Sequence, residues 1–201
     1  EWYGEKFDAI KSNYSFGFSF PNIASSVSLR ASVIGRAISP ASSSFTISAN
    51  GQSLPMNLST GSVQGNYLNI YGNTKTDNAT FSSGESISVA MSFVNPSSSS
   101  SGWLNYLELN ARRNLSMHGD QMIFRDVNSI GNGNIAKYIL SNTTSSIKIW
   151  DVTNELQPLL QQFNQNGNSS EFSLPSDSLK EFFAFTGINF FDGQGFMVKS
   201  S

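Results

Sequence analysis

The sequence predicts an all-β chain, an antiparallel β-sandwich or jelly roll with at most one short helix. Three observations carry that expectation. Several stretches alternate strictly between apolar and polar residues, as a half-buried strand does. Charged residues make up only 13% of the 201 positions, while the chain holds 37 Ser and 21 Asn. Helix surfaces favour Glu, Lys, Arg and Ala, whereas strands and turns tolerate Ser, Thr, Asn and Gly. Finally, roughly ten strand-like segments recur at about 8–12-residue spacing, bounded by Gly, Asn, Ser or Pro. Sixteen Phe and an aromatic content of 12% supply the bulk for a packed core.

Phe16, Phe18 and Phe20 alternate in Tyr14 to Phe20, which reads as an edge strand before Pro21. Val27, Leu29, Ala31 and Val33 define the next strand, and Phe45, Ile47 and Ala49 another. Asn50-Gly51 is a type I′ hairpin signal, with a short return strand to Leu54 stopped by Pro55. Residues 67–71 read as a strand with Leu68 and Ile70 on one face and Tyr67, Asn69 and Tyr71 on the other. Ile87, Val89, Met91 and Phe93 give the cleanest alternation, ending at Asn95-Pro96. Beyond it lie Trp103 to Leu109, Met122 to Val127, Ile135 to Leu140, Ile147 to Val152 and Ser178 to Phe185. A helical turn is expected over Glu155 to Phe163, where Leu156, Leu159, Leu160 and Phe163 recur at helix spacing behind Pro158. The expected organisation is one sandwich over residues 1–201, with the Ser-rich loop 96–102 as the point of any subdivision.

Composition removes several function classes. A net charge of -2 with twelve Lys plus Arg leaves no basic footprint for nucleic acid. No apolar run reaches the length of a membrane span. With no Cys and a single histidine, His118, there is no thiolate nucleophile, disulfide framework or multi-His metal site. The chain itself is therefore expected not to be an enzyme, with no catalytic residue, no metal ligand and no cofactor assigned. Calcium held by backbone and Asn or Asp oxygens stays open, although Asp126 to Gly131 fails the EF-hand pattern at Ile130 and Lys137. His118-Gly119-Asp120 reads as a polar turn rather than part of a triad. Glu108, inside a largely apolar strand, would be a catalytic acid only if buried; the simpler reading faces it outward. Tyr67, Asn69 and Tyr71 form the one pattern suited to a ligand, rings that stack on sugar faces beside an amide that bonds hydroxyls. Beginning at Glu1 with no leader, the chain reads as a segment of an exported protein.

Three blocks carry a resemblance: Trp103-Leu-Asn-Tyr-Leu-Glu-Leu-Asn-Ala-Arg-Arg113, Gln121-Met-Ile-Phe-Arg-Asp126 and Ile149-Trp-Asp-Val-Thr153, with Glu181-Phe-Phe-Ala-Phe185 behind them. Their order and spacing resemble the region upstream of the peptidase domain in the PorU family, the cell-surface sortases of the type IX secretion system of Bacteroidota. Trp2-Tyr-Gly-Glu5 and Phe18-Ser-Phe-Pro-Asn-Ile23 are similar to its N-terminal part. The resemblance implies a non-catalytic β domain at the outer-membrane surface of a Gram-negative bacterium. A downstream gingipain-type cysteine peptidase domain would remove C-terminal sorting signals and anchor exported cargo. Implied partners are that domain, an outer-membrane β-barrel and other surface-complex subunits. The family's catalytic Cys and His have no counterpart here. The alternative is a carbohydrate-binding β-sandwich module of a secreted or surface protein, using Tyr67, Asn69 and Tyr71.

Overall fold

In the computed structural model, residues 3–65 and 70–187 are described. They fall into two compact units, Glu1–Asn114 and Leu115–Ser201. Each has its own cluster of buried side chains, in place of the single core expected. The Ser-rich stretch lies inside the first unit. There Ser97 and Ser100 share a hydroxyl hydrogen bond of 2.8 Å, and the Ser100 amide donates to the Ser97 carbonyl at 2.9 Å. A composition that reads as a linker is thus a hydrogen-bonded turn, and the division comes where the long strand after it ends.

The first unit contains β1 (Lys6–Phe7), β2 (Asn13–Ser19), β3 (Ile23–Arg36), β4 (Ser43–Ala49), β5 (Gln52–Ser53), β6 (Leu58–Gly61), β7 (Asn73–Phe81), β8 (Ser86–Val94) and β9 (Ser101–Arg113). One sheet runs β1-β9-β3-β7 and the other β2-β8-β4-β5, with β6 also beside β4. Every strand pair among them is antiparallel. Successive strands alternate between the sheets except from β4 to β6, so the rows β1-β9-β3-β7 and β2-β8-β4-β6 are those of a jelly roll. Val27, Leu29, Ala31 and Val33 face the core, meeting Ile47, Val89 and Met91 of the opposite sheet. Asn50 and Gly51 both have positive φ, 48° and 81°, as a type I′ turn requires, and they set Ala49 opposite Gln52. The edge strand expected at Tyr14 to Phe20 is β2, paired on one side by β8.

The second unit contains β10 (Gln121–Arg125), β11 (Ile135–Leu140), β12 (Lys148–Asp151), β13 (Leu159–Leu160), β14 (Asn164–Asn166), β15 (Ser169–Pro175) and β16 (Glu181–Phe185). Its sheets are β10-β16-β12-β13 and β11-β15-β14, again antiparallel. Met122, Phe124, Ile149, Phe182 and Ala184 from the first sheet pack with Tyr138, Leu140 and Phe172 from the second. Two sandwiches thus replace one, while the all-β class stands.

The helical turn expected over Glu155 to Phe163 is absent. Leu156 and Leu159 are 92% and 68% exposed, so the helix-like spacing has no surface to bury its stripe against. Leu159 and Leu160 instead pair with Asp151 and Trp150. The one helical turn among the described residues is a 3-10 turn, Val127–Ser129, capped by the Asp126 carboxylate, which accepts from the Asn128 amide at 2.9 Å.

Candidate functional site

Because Val27, Leu29, Ala31 and Val33 point inward, Ser28, Arg30, Ser32, Ile34 and Arg36 of β3 point outward. Register then fixes their neighbours. Ile34 lies between Trp103 and Thr74, Ser32 between Tyr106 and Thr76, and Arg30 between Glu108 and Asn78. A bulge in β9 beside Ser32 and Val33 accommodates Asn105, whose amide reaches the Ser32 hydroxyl at 3.4 Å. Thr76 donates to the same oxygen at 3.1 Å, which satisfies a hydroxyl that is otherwise buried. The Arg30 guanidinium stands 5.8 Å from the Tyr106 ring.

At the end of this face Arg36 lies 4.3 Å from the Tyr71 ring and donates from Nη1 to the Tyr71 carbonyl at 2.8 Å. Trp103 sits 6.0 Å from Tyr71, tilted by 50°. Tyr71 remains 65% exposed. The three side chains come from the end of β3, the bend before β7 and the start of β9. The group offers stacking surface and a cation, a chemistry of recognition. Tyr71 therefore occupies a bend, not the strand expected at 67–71, while Tyr67 and Asn69 lie outside the described residues. Arg36 was missed because no local motif marks it. The alternation of β3 puts it on the polar face, but only the fold brings Tyr71 to it, 35 residues away.

The other candidates do not converge. His118 is exposed in the segment between β9 and β10. Glu108 is exposed opposite Arg30 and accepts from the Asn110 amide at 2.9 Å, so it lacks the burial a catalytic acid needs. Among the described residues no three His, Asp or Glu side chains are grouped to hold a metal. The carboxylates with depressed pKa values are clamps. Asp77 accepts from the Asn57 and Asn78 amides at 2.6 and 2.9 Å, which favour its charged form and pin the segment before β6 to β7. Asp8 is held down by the Lys11 and Ile10 amides, and Glu171 by Lys137 and Asn166.

No protein-family model and no curated protein matches the sequence. Among solved structures, the tandem CBM22-1-CBM22-2 domain of Paenibacillus barcinonensis Xyn10C aligns at 8% identity with a TM-score of 0.27, over 86% of this chain and 75% of that one. A likeness that slight bears on neither fold nor function. Dimeric latent PorU from Porphyromonas gingivalis aligns with a TM-score of 0.74 and 18% identity, covering 90% of this chain. The chain is thus similar in fold to part of PorU, and it spans 18% of the length of that protein.

Proposed function

We propose that this chain is the non-catalytic β region of a cell-surface sortase of the type IX secretion system. On this reading it supports a downstream cysteine peptidase domain that removes C-terminal signals and anchors exported cargo at the outer membrane. The observation that carries it is the likeness to PorU over 90% of the chain. The blocks that resemble the family occupy β9, β10 and β12, where Leu104, Met122, Phe124 and Ile149 are buried. Their role is packing, as befits an accessory region. With no Cys, the chain cannot supply the thiolate nucleophile of a cysteine peptidase. Its contribution is to position the peptidase domain and offer surfaces to the outer-membrane barrel and other complex subunits.

The purified chain is expected to leave a cargo-derived C-terminal peptide uncleaved, and the reading frame past Ser201 to encode a Cys/His peptidase domain. Turnover by the Cys-free chain, or a stop codon soon after Ser201, would sink the proposal.

One observation favours a second reading, a carbohydrate-binding module: the exposed Tyr71 ring with Trp103 beside it. Tyr71→Ala then abolishes glycan retention on an array of surface polysaccharides. Retention by neither protein, or by both equally, rejects that reading.

A further inference from the structure

β2 is paired on one side only, by β8. Two bonds just beyond its ends fix which backbone groups that pairing uses. The Phe93 amide donates to the Ser12 carbonyl and the Phe20 amide to the Glu85 carbonyl, each at 2.8 Å, in the register that the strand between them keeps. Antiparallel ladders alternate, so Tyr14, Phe16 and Phe18 direct their backbone groups to Met91, Val89 and Ile87. Asn13, Ser15, Gly17 and Ser19 then turn N–H and C=O to the open side, where all four are exposed. Such a row is a template for another strand, and edges are ordinarily guarded against it by charge, proline, a bulge or shortness. Among the described residues, the sheet-end strands β7, β10 and β11 carry Lys75 and Asp77, Arg125, and Lys137. The others, β1, β5, β6, β13 and β14, have four residues or fewer. β2 alone has none of these guards: seven residues, no charge, no Pro and no register shift against β8.

The symmetry of the strand selects the occupant. About Phe16, Ser15 mirrors Gly17, Tyr14 mirrors Phe18 and Asn13 mirrors Ser19, so each residue has its own kind at the mirrored place. An antiparallel pair of two copies with its two-fold axis at Phe16 sets these partners opposite each other. The bonding parity agrees. The residues with open backbone groups meet one another, so Ser15 with Gly17 and Asn13 with Ser19 exchange both N–H···O bonds. Phe16 then faces Phe16, and Tyr14 faces Phe18, at the closely spaced positions where aromatic cross-strand pairs add stability. These rings are only partly buried against the first core, so a second copy completes their cover. No like charges meet, because Lys11 and Pro21 stand two residues outside either end and fall opposite each other.

We infer that β2 pairs with β2 of a second copy of this chain, antiparallel about a two-fold axis at Phe16, joining two β2-β8-β4-β5 sheets into one. The inference does not rest on the accessory-region reading. Sedimentation of the 201-residue chain from the low micromolar range to about 1 mM tests it. A monomer–dimer equilibrium is expected. Along it, hydrogen exchange at the Ser15 and Gly17 amides slows at least about 5-fold, while the Phe16 amide, already bonded to β8, changes little. Gly17→Lys sets like charges beside the axis, and a Cβ there meets nothing within 4 Å, so the fold is kept. Ser15→Pro removes a donor that faces solvent in the monomer, where an edge strand tolerates proline. Each variant weakens the dimer at least about 10-fold. A monomer at every concentration overturns the inference. So does a dimer that Gly17→Lys leaves intact, or one whose Ser15 and Gly17 amides exchange as in the monomer, because another surface then holds it. Growth beyond the dimer overturns it too, since a closed two-fold pair leaves no β2 edge for a third copy.

Discussion

Phe182→Ala is expected to remove most of the stability of the second unit and leave the first intact. Phe182 is fully buried, and its ring meets Phe124 at 5.3 Å, Tyr138 at 5.0 Å and Phe172 at 5.0 Å. Phe124 shares its sheet, while Tyr138 and Phe172 belong to the facing one, so this ring joins the two layers. Truncating a buried Phe to Ala costs about 3–5 kcal/mol through lost transfer energy and the cavity left behind. A small domain has only about 5–15 kcal/mol in total. At roughly 4–8 °C per kcal/mol for a unit of this size, the second unit's transition falls by about 12–40 °C or disappears. Calorimetry should then show the first unit's transition where it was, because the two clusters of buried residues share no member. A loss under about 1 kcal/mol would mean that the neighbouring rings collapse into the space. Equal shifts of both transitions would mean that the cores are energetically one.

Strands with one apolar and one polar face were legible in the sequence. β4 and β8 bury every second residue, while β3 alternates from Val27 to Ala31 and is then buried without a break to Gly35 because its outer face is covered there too. β7 was not legible. Of Asn73–Phe81 only Ala79 and Phe81 are buried, so hydropathy shows no period over most of its length. β15 hides for a related reason, since the inward position before Phe172 is the buried Ser170, bonded to the Thr143 hydroxyl at 2.9 Å. The segment 155–163 misled in the opposite direction, because spacing alone cannot say whether a core exists for the stripe to meet. The aromatic group at Tyr71 was half legible. An exposed Tyr beside a polar strand face is local information, but Arg36 and Trp103 reach it through the β3–β9 register, which no short motif encodes. Ile123, Phe183, Trp150 and Leu160 fall into one row across the second unit's sheet for the same reason, since four strands supply them and only register aligns them.

Phe7→Ala should do to the first unit what Phe182→Ala does to the second. β1 has two residues, paired with Trp103 and Gly102 of β9 and extended by two backbone hydrogen bonds between Gly4, Glu5 and Leu104. So short a strand has little ladder to hold it, and the Phe7 ring does most of the holding. It is fully buried against Tyr14 at 4.8 Å, Phe45 at 5.2 Å and Phe93 at 6.5 Å. Gly102, its register partner, leaves room for this cluster, since a Cβ there would collide with Phe45 and come within 3.0 Å of Phe93. The expected loss is again about 3–5 kcal/mol, read as a lowered first transition beside an unchanged second. The two substitutions differ in their effect on association. Phe182 lies on an interior strand, whereas releasing β1 uncovers the Gly102 to Leu104 end of β9 and lengthens an edge with no strand beside it, a template for pairing with another chain. Phe7→Ala should therefore aggregate on heating in proportion to concentration, while Phe7→Leu, which keeps enough bulk to seat β1, should not. If both variants stay monodisperse through the transition, the β9 edge is guarded by something other than the Phe7 ring.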